Sequence, residues 1–150
     1  MTTKVITVNR KARYDYEILD TIQAGMVLTG TEIKSIRAGN VNIRESYVRP
    51  HASEIWLYNC HISQYESGNV HNHDPVRTRK LLLTNSQIHD LTLELGRTGL
   101  TAVPLRIIIK NHHAKVDIGI ARGRRKHEKK RAIIDKYKDR EARQAIKHRL

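Results

Sequence analysis

LTAVPLRIIIKNHHAKVDIGI, residues 100–120, reads as two strands and the turn between them. In KVDIGI, Val116, Ile118 and Ile120 fall on one side and Lys115, Asp117 and Gly119 on the other. That period of two belongs to a strand with one buried face. LTAVPLRIIIKN is the strand before it, and His112-His113 marks the hairpin tip. Upstream lies the strongest helical pattern, TNSQIHDLTLELG: Thr84 and Gln87 have capping-box spacing, Ile88, Leu91 and Leu95 repeat at helical intervals, and Gly96 ends it.

Further out, YEILDTIQ and GMVLT read as paired strands around Gly25, while SYVRP and EIWLYNCHI read as two more strands broken by His51-Ala52-Ser53. TGTEIKSIRAG reads as a brief helix capped by Thr29 and Glu32, with Ile33 and Ile36 on one face and Gly39 at the left-handed C′ position. GNVHNHDPVR is a turn-rich connection in which Pro75 demands an extended Asp74. Many short strands with one or two inserted helices predict a mainly β fold, a small antiparallel barrel. Strands do not alternate with long helices, which excludes a doubly wound α/β fold. Residues 1–13 read as a flexible basic arm, 14–122 as the β domain and 123–150 as a basic tail.

Charge separates these parts. Residues 121–150 hold 13 Lys/Arg against 4 Asp/Glu, and residues 1–120 hold 15 against 11, so the tail carries nine of the thirteen net positive charges. Such a balance calls for a polyanionic partner. The tail's apolar positions, Ile133, Ile134, Tyr137, Ala142, Ala145 and Ile146, form no continuous stripe, yet its residues favour helix and none after Gly123 is Gly or Pro. Self-repulsion keeps such a segment disordered alone, with helix formed when a polyanion neutralises it. The single Cys60 forms no internal disulfide, no apolar run is long enough to span a membrane, and the expected setting is the cytoplasm.

Catalytic patterns are weak. Cys60 and His61 are adjacent, so a strand sends them to opposite faces. His71-Asn72-His73-Asp74 contains metal-ligand types without the second ligand group of a structural site, and its Asn and Asp are what a turn before Pro75 uses. No phosphate loop and no nucleophile elbow occurs. The expectation is a non-enzyme without cofactor or metal. Three basic groups stand out instead: Arg10-Lys11-Arg13, Lys34 with Arg37, and Arg77-Arg79-Lys80. With no Phe and several Tyr in core-like strands, a base-stacking platform is not expected, and recognition of a folded RNA by shape, sugar and phosphate fits better.

NRKARYDY, GTEIKSIRAG, HISQYESGN, NHDPVRTRKLLL and KVDIGIARGRRKHEKKR, in this order and at these intervals, resemble small protein B, the SsrA-binding protein family, from about Val8 to the C-terminus. The resemblance implies a closed antiparallel Greek-key β-barrel of the oligonucleotide-binding kind with about three short peripheral helices. It implies binding to the tRNA-like domain of transfer-messenger RNA (tmRNA) and its delivery to stalled ribosomes, as a monomer. The elongation factor carrying aminoacyl-tRNA is met only through the RNA. The C-terminal tail then lies as a helix in the decoding centre and empty mRNA channel, against small-subunit rRNA.

By the same resemblance, Asn9 and Leu82 are RNA-contacting positions, Gly123 is the barrel–tail junction and His127 a decoding-centre residue, within the basic run Arg124, Arg125, Glu128, Lys129, Lys130 and Arg131. Gln23 stands where the family commonly has Glu, so it keeps hydrogen bonding at the RNA interface without charge. Glu128-Lys129-Lys130 aligns with a common Asp-Lys-Arg, exchanging a planar fork for a point charge. The other readings open to these residues are a structural ribosomal or general RNA-binding protein, and a small metal-dependent nuclease using His71–Asp74.

Overall fold

A computed structural model describes residues 3–66, 72–97 and 99–124, together with positions 130, 133, 134, 136, 138 and 140. In chain order the elements are β1 (Thr3–Val8), α1 (Arg10–Asp15), β2 (Tyr16–Met26), α2 (Gly30–Arg37), β3 (Val41–Asn42), β4 (Tyr47–His51), β5 (Glu54–Tyr58), β6 (His61–Ile62), β7 (Arg79–Leu82), α3 (Asn85–Leu95), β8 (Leu100–Lys110) and β9 (His113–Gly123). The fold is mainly β with three short helices.

The β8–β9 hairpin closes through Asn111 and His112, whose φ angles of 50° and 68° give the two-residue turn that suits twisted strands. The tip therefore lies one residue earlier than the histidine pair suggested. Pro104, inside β8, sits where the register with β9 shifts, a bulge that tolerates a missing donor. β2 pairs with β9 from Tyr16 to Gly25 and with β7 at Gly25 and Met26. YEILDTIQ and the start of GMVLT, to Met26, are thus one strand, because Gly25 lies within the ladder rather than in a turn. The antiparallel order β8-β4-β5-β7-β2-β9 returns to β8, so these six strands pair in a ring, with β1 added outside on β8.

EIWLYNCHI is also corrected. β5 ends at Tyr58, Asn59 turns with φ 57°, and β6 pairs with β3 in a second, two-stranded sheet. Residues 3–8, expected in a flexible arm, add to the edge of β8 instead, and residues 10–15 form a helix. α2 and α3 begin at Thr29 and Thr84 with complete capping boxes, and Gly39 has φ 82°. Each such cap contributes about 1 kcal/mol.

The main core gathers Val48, Ile55, Leu57, Leu81, Leu91, Ile107, Val116 and Ile118 inside the ring. A smaller cluster of Ala12, Val103, Leu105 and Ala121 lies beneath α1. β9 is consequently buried on both faces toward its end. At Gly119 the strands pack closely, and an added Cβ would stand 3.0 Å from Leu105 Cδ1.

Candidate nucleic-acid interface

β2, β7 and β9 carry the side chains that matter on the outer face of the ring. Register sets Gly25 beside both Leu82 and Lys115, and Gln23 beside Asp117. Strand alternation sends Arg79 and Leu81 inward and Lys80 and Leu82 outward. Leu82 lies across the bare backbone of Gly25, where an added Cβ would be 3.3 Å from the leucine Cβ. Leu82 is 53% exposed, and Val27, on the same side, is also exposed. Gln23 Nε2 donates to Asp117 Oδ1 at 2.9 Å, and Arg106 Nε donates to Asp117 Oδ2. Two exposed apolar side chains, a fixed amide and the cations Lys80 and Lys115 therefore share one surface. That combination suits the sugar, base edge and phosphate of a nucleic acid.

Arg77 borders this patch. Its Nη2 donates to Val27 O and to Glu32 Oε1, the latter at 2.6 Å. Arg79 corrects the sequence reading: its side chain is fully buried, so it offers nothing to a phosphate. Arg79 Nε donates to Glu32 Oε2 at 2.6 Å, and its terminal nitrogens serve the carbonyls of Cys60, Asp74 and Pro75. Burial alone would raise the pKa of Glu32. Hydrogen bonds from Arg77, the Thr29 amide and Arg79 outweigh it and hold the carboxyl at about 2. Glu32 is at once the capping residue of α2 and the counter-ion of a buried arginine, which locks α2 to the start of β7.

Asn9 is the second correction. It is 1% exposed, and its amide is spent internally: Oδ1 accepts from the Ala12 amide, while Nδ2 donates to Ile43 O and Pro104 O. It is the N-cap of α1, holding the helix that displays Arg10, Lys11 and Arg13 rather than displaying itself. Arg10 and Arg13 are exposed, and Lys11 pairs with Glu45 at 2.7 Å. α1 leads into Tyr16, seven residues from Gln23 along β2, or about 23 Å in an extended strand. Lys34 and Arg37 are exposed on α2, with Lys34 Nζ 5.4 Å from the centre of the Tyr65 ring. The basic groups thus do not merge. Gln23, Arg77, Lys80 and Leu82 come together, and α1 stands apart at the other end of β2.

Lys115, Val27 and the Arg106–Asp117 pair went unread as site residues. Alternation within KVDIGI turns Lys115 outward, but only the β2–β9 register reveals that it flanks Gly25.

The histidine segment has other work. His73 is 6% exposed, with Nδ1 2.9 Å from Thr31 Oγ1 and Nε2 2.8 Å from Ile62 O. His71 lies outside the described residues. Burial pushes the Cys60 thiol up to about 11, so it stays protonated at neutral pH. A cavity of about 500 Å³ opens between β2 and α3, but among the described residues Asp20, Asp90 and Glu94 line it with Arg97 as the one cation, an environment that repels phosphate.

At the tail root, Gly123 ends β9 opposite Tyr16, with nothing within 4 Å of a Cβ built there, and the Arg124 amide donates to Asp15 O. Lys130 is helical and exposed. Arg125, His127, Glu128, Lys129 and Arg131 lie outside the described residues. No helix among the described residues is long and apolar enough to cross a membrane.

Comparison with known proteins finds relatives over nearly the whole chain. The family model described as "SmpB protein" matches residues 6–148. The SsrA-binding protein of Enterococcus faecalis is 50% identical over 145 residues, covering 97% of this chain and 94% of the relative. That of Shouchella clausii is 50% identical over 147 residues, covering 98% and 94%. A chain in the solved structure described as "tmRNA-SmpB: a journey to the center of the bacterial ribosome" superposes with a TM-score of 0.68 at 44% identity, covering 85% of this chain and 93% of that one.

Proposed function

The chain belongs to the SmpB protein family, and from that premise we propose that it is a tmRNA-binding adaptor of ribosome rescue in the cytoplasm. It binds the tRNA-like domain of tmRNA, escorts it to stalled ribosomes and chemically transforms nothing itself. Its ring of strands is a closed Greek-key barrel of the oligonucleotide-binding kind. The observation that carries the reading is the extent of the family match, which runs through both the globule and the tail, residues 6–148.

Each part has its task. The Gln23–Leu82 surface, with Arg77, Lys80 and Lys115 around it, grips the folded RNA. Exposed Arg10 and Arg13 on α1 supply phosphate contacts at the far end of β2, in the orientation that Asn9 fixes. Gly123 turns the chain outward, and Arg124 through Arg131, with His127 at the decoding centre, enter a channel walled by phosphate. Neutralisation there favours helix, in a segment whose charge opposes compaction elsewhere.

Competition binding tests this. The tRNA-like domain of tmRNA, an ordinary tRNA and an RNA duplex are measured at two salt concentrations. The adaptor prefers the tRNA-like domain at both, whereas equal affinity for all three would reduce the protein to a general polycation.

A further inference from the structure

The outer face of the β4–β5 hairpin carries aromatic rings that the reading above does not use. Val48, Ile55 and Leu57 point into the core, so alternation leaves Tyr47, Arg49, Trp56 and Tyr58 outside. Register pairs Tyr47 with Tyr58 and Arg49 with Trp56. The two tyrosine rings stack with centroids 5.2 Å apart and planes within 9°, and the Arg49 guanidinium covers the Tyr47 ring at 4.7 Å. Trp56 Nε1 donates to His51 O at 3.1 Å, which fixes the indole. All three rings are only partly buried, and Arg49 is exposed.

The next strand links this face to the RNA surface. Trp56 pairs with Lys80, and Lys80 points the same way as Leu82, two residues on. Glu54, the carboxylate of the hairpin face, is neutralised by Lys80 at 3.4 Å. Fixed aromatic planes, a guanidinium beside them and a lysine on the path to a nucleic-acid surface match how single-stranded bases are held. The absence of Phe and the placing of several Tyr in core-like strands argued against a stacking platform among the seven aromatics. Three of them sit on one face.

We propose that this face extends the RNA surface and takes an unpaired nucleobase against Trp56 and the outer face of Tyr58, which its stack with Tyr47 holds in place, with the phosphate on Arg49. The inference rests on the RNA-binding reading and adds to it a contact that recognises single strands. Because Lys80 lies between this face and Leu82, the base belongs to the tmRNA held on the neighbouring surface.

Trp56 is the only tryptophan in the chain, so its fluorescence reports on this face without a label. The full chain is titrated with oligoadenylate and with a paired duplex of equal length. Oligoadenylate should quench Trp56 saturably, and the duplex should not. Arg49→Gln and the double variant Tyr47→Leu with Tyr58→Leu should each weaken oligoadenylate binding about tenfold. Arg49 is exposed, and circular dichroism verifies that each variant is folded. The same variants are then measured on the tRNA-like domain of tmRNA and on purified small ribosomal subunits. A tenfold loss on the former supports the assignment to tmRNA, and a loss only on the subunit overturns it. Absent quenching, equal quenching by the duplex, or variants unchanged on every RNA overturns the proposal. If the parent still binds the tRNA-like domain in that case, the adaptor reading survives; if it does not, that reading falls separately.

Discussion

Replacing Glu32 by Gln removes the charge that the interior is built around. The fully buried side chain of Arg79 loses its counter-ion, while Arg77, 37% exposed, can turn to water. Removing one partner of a buried ion pair costs about 3–5 kcal/mol. Proton linkage points the same way: the carboxyl is held at about 2, below its ordinary 4.5, so the charged form is favoured by the fold. Because the folded value is depressed, this stability is present above about pH 4.5 and is lost as pH falls toward 2. Urea unfolding at pH 7 followed by circular dichroism should therefore place Glu32→Gln about 3 kcal/mol below the parent. The melting temperature should fall by roughly 10 °C. Between pH 4.5 and 2 the two curves should converge. A Glu32→Gln protein within about 1 kcal/mol of the parent at pH 7 would refute the counter-ion argument.

Three further substitutions separate structure from contact. Asn9→Ala uncaps α1 and leaves Ile43 O and Pro104 O without their donor, so stability should fall by about 2–4 kcal/mol in the same unfolding assay. Leu82→Ala should leave stability within about 0.5 kcal/mol but weaken binding to the tRNA-like domain roughly five- to tenfold in a filter-binding measurement, since an exposed leucine contributes only when a partner covers it. Gly119→Ala forces a methyl against Leu105 and should cost about 1–3 kcal/mol by thermal melting.

Local rules revealed much of this fold. The capping boxes at Thr29 and Thr84 and the alternation of Val116, Ile118 and Ile120 depend on residues near one another in sequence, so they were legible there. What stayed hidden depends on pairing between distant segments. Arg79 and Lys80 look alike as charges in RTRKLLL, yet one-residue alternation on β7 buries the first and exposes the second. Asn9 within NRKAR has the look of a polar contact residue. Only the approach of Ile43 and Pro104 from elsewhere turns it into a buried cap. Likewise, composition supplied the number of aromatic residues, while the β4–β5 register brought Tyr47 and Tyr58 together. The Gln23–Leu82 patch arises from the family resemblance for its two named positions and from strand register for Lys115.

The division of work between globule and tail is tested most directly by ending the chain after Arg124. The shortened protein keeps every described element of the ring and its helices. It should bind the tRNA-like domain of tmRNA within about twofold of the full chain, yet fail to support peptide tagging on stalled ribosomes in a reconstituted translation system. Tagging at full-length rates by the shortened protein, or loss of RNA binding together with tagging, would contradict the account.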